Sequence, residues 1–161
     1  MELMKCAAYI AATGIASFII GTALPRKWFH ADQFLFRCRS FEREGRVYEK
    51  IYIHKWKTRV PDMSRLFPWL IPPKRFSDNL GERLPRMIQE TCVAEAVHLA
   101  LCLTGLYCIK LWPGVGGVVV SALNILGNML FVWIQRYNRP RFMKIMMRYT
   151  EKHGTSTAEF E

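Results

Sequence analysis

Residues 90–133 read ETCVAEAVHLALCLTGLYCIKLWPGVGGVVVSALNILGNMLFVW, and this stretch decides the fold. From Leu99 to Trp133 it is almost wholly apolar. It carries two runs, 92–111 and 115–134, and about 20 apolar residues suffice for a helix to cross some 30 Å of hydrocarbon. Pro113-Gly114 and Gly116-Gly117 place a tight turn between them, so the runs predict a helical hairpin. Lys110 and Trp112 suit its far interface, where a cation snorkels and an indole anchors. The near end is different. Glu90, Glu95 and His98 stand where the chain enters the apolar run, and ionisable groups at such a depth usually face protein or water. Glu95 and His98 are spaced i, i+3 and share a helix face. Glu90 lies about 140° round the helix from Glu95, at roughly 100° per residue.

A third span precedes the hairpin. Residues 6–24, CAAYIAATGIASFIIGTAL, contain no charge, and their small residues permit close helix packing. A cleaved signal peptide would need a stronger basic n-region than Lys5. The basic flank Pro25-Arg26-Lys27 instead predicts a retained anchor. Residues 25–91 are polar, and fifteen Lys or Arg fall within 25–89. The tail 135–161 begins QRYNRPR. The positive-inside rule then puts the N-terminus outside and both basic segments in the cytoplasm. The expected fold is an all-α integral membrane protein, one domain over 1–161, with three transmembrane helices and a basic, partly interfacial segment between the first two.

The net charge of +10 would also suit a nucleic-acid binder. The basic residues form no reader motif, however, and the apolar blocks need another explanation, so no nucleic acid is expected as a partner. Cys6, Cys38, Cys92, Cys102 and Cys108 show no metal-ligand spacing such as C-x-x-C and read as reduced. Within 25–89, Trp28-Phe29-His30 and Phe34-Leu35-Phe36 suit an interfacial belt, and FPWLIPP (67–73) a shallow dip into the interface. RVYEKIYIHKW (46–56) mixes strand and helix periods and fits a short strand or an interfacial helix.

The constellation at the hairpin's near end allows several chemistries. His98 could act as a general base with Glu95 fixing its tautomer, deprotonating a hydroxyl or amine for attack on an acyl group. The plain alternative is a polar cluster that pins two helices. An acyl-cysteine role for Cys92 would need an electropositive setting. E-x-x-H is also half of a di-iron site, but no second copy exists, and His30 and His54 are the remaining histidines besides His98 and His153. No metal and no bound cofactor are expected. Arg136, Arg139 and Arg141 with Lys144 could grip a phosphate or carboxylate, or simply stop the third span. Asn128 shares a face with Asn124, at i, i+4, and Asn138 is not explained by topology. Trp56 and Lys57 read as an amphipathic surface segment when taken alone.

FEREGRVYEKIYIHKWKTRVPD, then ETCVAEAVH, then N-x3-N-x6-QRYNRPR together resemble the small bacterial membrane proteins of the glycosyl-4,4'-diaponeurosporenoate acyltransferase family. The resemblance covers about residues 28–145. It implies a bacterial cell-membrane enzyme of staphyloxanthin-type carotenoid pathways, moving a fatty acyl group onto a lipid-linked acceptor. A glycolipid sugar hydroxyl is the first expectation, and the amine of a lipoprotein the second. The donor could be acyl-CoA, acyl carrier protein or a phospholipid. Among the matching positions, the chemistry of the side chains makes His98, Glu95 and Glu90 the expected catalytic set, with Glu90 binding or orienting the acceptor. Asn128, Gln135, Arg136, Asn138, Arg139, Trp56 and Lys57 become the expected substrate-binding set. In this scheme Glu95 orients His98, Asn128 or Asn138 donates to the oxyanion, and Arg136 and Arg139 hold the donor's anionic head. A non-catalytic subunit that docks a partner enzyme is the alternative of another class, and three helices leave room for a homodimer.

Overall fold

The structure, a computed structural model, describes residues 1–58, 60 and 80–153. FPWLIPP and the end of the tail beyond His153 lie outside these. Within them the chain forms α1 (Glu2–Ala23), the short α2 (Ile53–Trp56), α3 (Leu80–Gly105), the single turn α4 (Cys108–Leu111) and α5 (Val115–His153). No strand occurs among the described residues, and RVYEKIYIHKW is a 3₁₀ helix over Arg46–Ile51 followed by α2. Among the described residues three helices are long and apolar enough to cross a membrane, so this is a membrane protein with the three expected spans. Their outer faces agree. Ile15, Ile19, Leu103, Val118, Leu123 and Leu126 are exposed, a pattern that water penalises and lipid does not.

α3 and α5 form the antiparallel hairpin, and polar groups mark its register. From the turn inward, Ser121 Oγ donates to Gly105 O at 3.0 Å, Asn124 Nδ2 to Leu101 O at 2.9 Å, and Asn128 meets His98. Further along, Arg136 meets Glu95 and Arg139 meets Thr91. With no hydrophobic drive between helices in lipid, such bonds and close packing hold the pair. α1 lies antiparallel to α3. Tyr9 Oη donates to Thr104 O at 3.1 Å and Cys6 Sγ to Cys108 O at 3.8 Å. All five cysteines are free.

The third helix is longer than its apolar run. It continues past Ile134 through QRYNRPR to His153, with Pro140 inside it. Its 39 residues span roughly 58 Å at about 1.5 Å each, twice what hydrocarbon needs. Proline here removes one N–H bond to the carbonyl four residues back, at Arg136. The Arg141 guanidinium, one residue later, donates to the next carbonyl, Tyr137 O, at 2.7 Å.

At the turn, Gly114 takes φ +101, which favours glycine. Gly117 is needed for a different reason. A Cβ there would fall 2.2 Å from Trp112 O, 2.6 Å from Cys108 O and 2.9 Å from Ile109 Cα, all backbone. Gly117→Ala should therefore destabilise the hairpin by about 1–3 kcal/mol, the usual overpacking range. Gly127→Ala, with nothing within 4 Å of its added Cβ, serves as the control in thermal unfolding. Equal midpoints for the two variants would contradict the close approach.

Candidate functional site

Residues 42–57, between α1 and α3, fold over the basic half of α5, and acidic residues on them pair with basic residues there. Glu42, 1% exposed, accepts from Arg136 in a fork, Nε to Oε1 at 2.7 Å and Nη2 to Oε2 at 3.2 Å. Tyr48 Oη donates to Glu42 Oε1 as well, at 2.5 Å. Glu49 takes Arg141 at 2.6 Å, and Glu44 takes Lys144 at 2.5 Å. Arg43, Glu44 and Gly45 all have positive φ, and Gly45 sits where a Cβ would press on Tyr137 O and Arg136 O at 3.3 and 3.4 Å. The E-G-x-x-Y-E element is thus one half of a clamp, and QRYNRPR is the other.

Burial would push the Glu42 carboxyl up, but the Arg39 N–H, the Tyr48 hydroxyl and the Arg136 guanidinium outweigh it and hold Glu42 below the usual carboxylate range. The Tyr48 hydroxyl is pushed the other way, by its own burial and then by Glu42. Because the folded Glu42 value lies below the unfolded one near 4.5, Glu42 contributes stability above that pH and loses it as pH falls through the folded value. Acid titration of the unfolding midpoint should show this loss below about pH 4.5, and Glu42→Gln should flatten part of it.

The clamp meets α3 through Glu95, which is 1% exposed. Its two oxygens accept from Arg136 Nη1 at 2.6 Å and Arg139 Nη2 at 2.5 Å. Arg139, 3% exposed, also donates to Thr91 Oγ1, Thr91 O and Phe36 O. Two carboxylates and two guanidinium groups close a neutral network, as buried charges require. This corrects one expectation. Glu95 does not orient His98, because two arginines from α5 take both its oxygens. Arg136 and Arg139 are engaged by these internal carboxylates and by carbonyls, and both also line the cleft beside the network.

His98 is held by another group. Its Nδ1 lies 2.9 Å from Asn128 Oδ1, and its ring stacks on Phe131 at 4.5 Å with planes 7° apart. The half-buried ring has no further hydrogen bond among the described residues. Asn128 Nδ2 is engaged by Asn124 O at 2.9 Å and Asn124 Oδ1 at 3.3 Å, so it is not the expected oxyanion donor.

The other expected residues lie around the network. Lys57 Nζ donates to Asn138 Oδ1 at 2.9 Å and sits over the Tyr137 ring, with Arg141 on that ring too. Burial, then Arg141, lowers the Lys57 pKa. Trp56 Nε1 donates to Ile51 O, inside its own segment. Glu90 pairs with Arg86 at 3.5 Å, one turn back on α3, and Gln135 is half-buried on α5. A cleft of about 320 Å³ lies beside the network, with Phe36, Pro140, Met143 and Met147 among its walls and Arg37, Arg136, Arg139 and Lys144 as cations. Among the described residues no three His, Cys, Asp or Glu side chains converge as a metal set.

Glu42, Asn124 and Phe131 were not anticipated at the site. The signal for Glu42 is the matching of charges, since Glu42, Glu44 and Glu49 answer Arg136, Lys144 and Arg141. Nothing in the local pattern marks Phe131 among so many apolar neighbours.

Proteins similar to this chain carry the name of an acyltransferase, and with its three spans this protein is a small membrane acyltransferase. A family model described as glycosyl-4,4'-diaponeurosporenoate acyltransferase matches residues 25–148, and the chain belongs to that family. A relative of that name from Staphylococcus aureus strain MRSA252 is 30% identical over 142 residues, 83% of this chain and 83% of that protein. Relatives of the same name from strains bovine RF122 / ET3-1 and N315 are 29% identical over the same shares. No solved structure matches the chain.

Proposed function

We propose that this protein transfers a fatty acyl group onto the sugar hydroxyl of a membrane glycolipid, with His98 as general base. One observation carries the reading. His98 is tied through Nδ1 to a neutral amide, and its Nε2 has no hydrogen bond among the described residues. It therefore has a nitrogen left to accept the proton of an acceptor hydroxyl. As the oxygen attacks the donor's acyl carbonyl, a new ester C–O bond forms and the donor's thioester or ester bond breaks. The proton taken at Nε2 then passes to the leaving thiolate or alkoxide.

The acceptor class is supported by the relatives' names, which specify a glycosylated carotenoid acid. Such a molecule puts its sugar at the interface and its apolar body in the bilayer, the two settings that α3 and α5 cross. In this reading the basic clamp faces the bacterial cytoplasm, and the Arg–Glu network braces the hairpin beside His98. The test is acyl transfer by purified protein in nanodiscs containing a glycolipid, with acyl-CoA, acyl carrier protein and phospholipid offered as separate donors. Mass spectrometry should show the glycolipid gaining one acyl group with one of them. No acylated glycolipid with any donor would overturn the reading.

A further inference from the structure

We propose that Asn124 and Asn128 are positioning residues that hold His98 in one neutral tautomer, with the proton on Nδ1 and the lone pair on Nε2. Their importance for turnover rests on the reading of His98 as the base, whereas the tautomer itself follows from the hydrogen-bond chain.

The chain ends on backbone carbonyls, which can only accept. Leu101 O takes Asn124 Nδ2 at 2.9 Å, so the Asn124 amide oxygen points the other way. Asn128 Nδ2 lies 3.3 Å from that oxygen and 2.9 Å from Asn124 O, a second pure acceptor. Both contacts require the nitrogen of the Asn128 amide on that side. Its oxygen must then face His98 Nδ1 at 2.9 Å, and an oxygen there calls for a proton on Nδ1. The direction of each bond is thus passed from a carbonyl to the imidazole.

Two further features keep the chain in place. Leu101 lies three residues beyond His98 on the same helix, so the relay starts and ends on α3. A Cβ at Gly105 would fall 2.0 Å from Asn124 Nδ2 and 2.8 Å from Asn124 Cγ. The bare backbone of Gly105 therefore makes the room that Asn124 occupies. Phe131, stacked on the ring, fixes its plane. The opposite tautomer would present an N–H to the acceptor hydroxyl and could not take its proton.

The test is ¹⁵N NMR of the full chain labelled at histidine, in nanodiscs, with the His98 signals assigned by their loss in His98→Ala. At a pH where the ring is neutral, the wild type should show a protonated Nδ1 and an unprotonated Nε2. Asn128→Leu removes the acceptor and should give a mixture of tautomers. In the transfer assay kcat for Asn128→Leu should fall with the population of the competent tautomer, roughly 2–10-fold, with KM unchanged. A wild-type spectrum with the proton on Nε2 overturns the proposal even if no variant folds. Full turnover by His98→Ala, with the wild-type spectrum as stated, overturns the catalytic use of the relay and the base reading while the tautomer assignment stands.

Discussion

Glu95→Ala is expected to destabilise the folded protein by about 3–5 kcal/mol, the range for removing one partner of a buried ion pair. The carboxylate is 1% exposed and answers two guanidinium groups. Arg136 keeps Glu42 when Glu95 is lost, so it remains paired. Arg139 does not. Its other acceptors, Thr91 Oγ1, Thr91 O and Phe36 O, are neutral, and its charge would be left 3% exposed with no counter-ion. Denaturant or thermal unfolding in detergent checks this, with Glu95→Gln retaining one acceptor and losing less. Joining Glu95→Leu to Arg139→Leu should recover much of the loss, because the cost lies in the orphaned charge. Arg139→Lys should not be mild, since an ammonium cannot span Thr91, Phe36 and Glu95 at once. A Glu95→Ala protein that unfolds like the wild type would show that the network does not hold the clamp to α3.

That result also shows which features a sequence makes legible. The spans are legible because a bilayer imposes a length and a composition on the chain, and 6–24, 92–111 and 115–134 all met both. The end of the third helix was not, because charge and proline at QRYNRPR mark the edge of hydrocarbon and not the end of hydrogen bonding. α5 continues to His153 on backbone bonds that no membrane is needed to protect. The site divides in the same way. His98, Asn128, Glu95, Arg136 and Arg139 were visible because polar groups stand out against an apolar run. Their pairing was not visible, because it depends on partners from other elements. Arg136 competes for Glu95 from 41 residues away, and Glu42 reaches Arg136 across 94. An i, i+3 spacing places Glu95 and His98 on one face but does not give them each other. Lys57 and Asn138 were both expected to bind substrate, and their contact with each other, across 81 residues, was likewise beyond local pattern.

His98→Ala is expected to act the opposite way, lowering turnover by about 10²–10⁴-fold, the usual contribution of a positioned base, with little change in folding. The structural loss is small because His98 carries no internal charge pair. It gives up one hydrogen bond to Asn128 and one stack on Phe131, each about 1 kcal/mol. Both lost partners sit in the hairpin with their remaining contacts intact, since Asn128 Nδ2 still reaches Asn124. The variant should therefore insert, purify and unfold near the wild-type midpoint while acyl transfer in nanodiscs falls. KM for the glycolipid should hold, because a base that acts on the hydroxyl proton adds to the transition state more than to binding. The pair of variants separates structure from chemistry. Glu95→Ala loses activity only as far as it loses fold, and His98→Ala loses activity with the fold kept. If His98→Ala instead transfers acyl groups at the wild-type rate, the base must be sought elsewhere. The clamp would be the next place to look, where burial and Arg141 already lower the pKa of Lys57 beside Asn138.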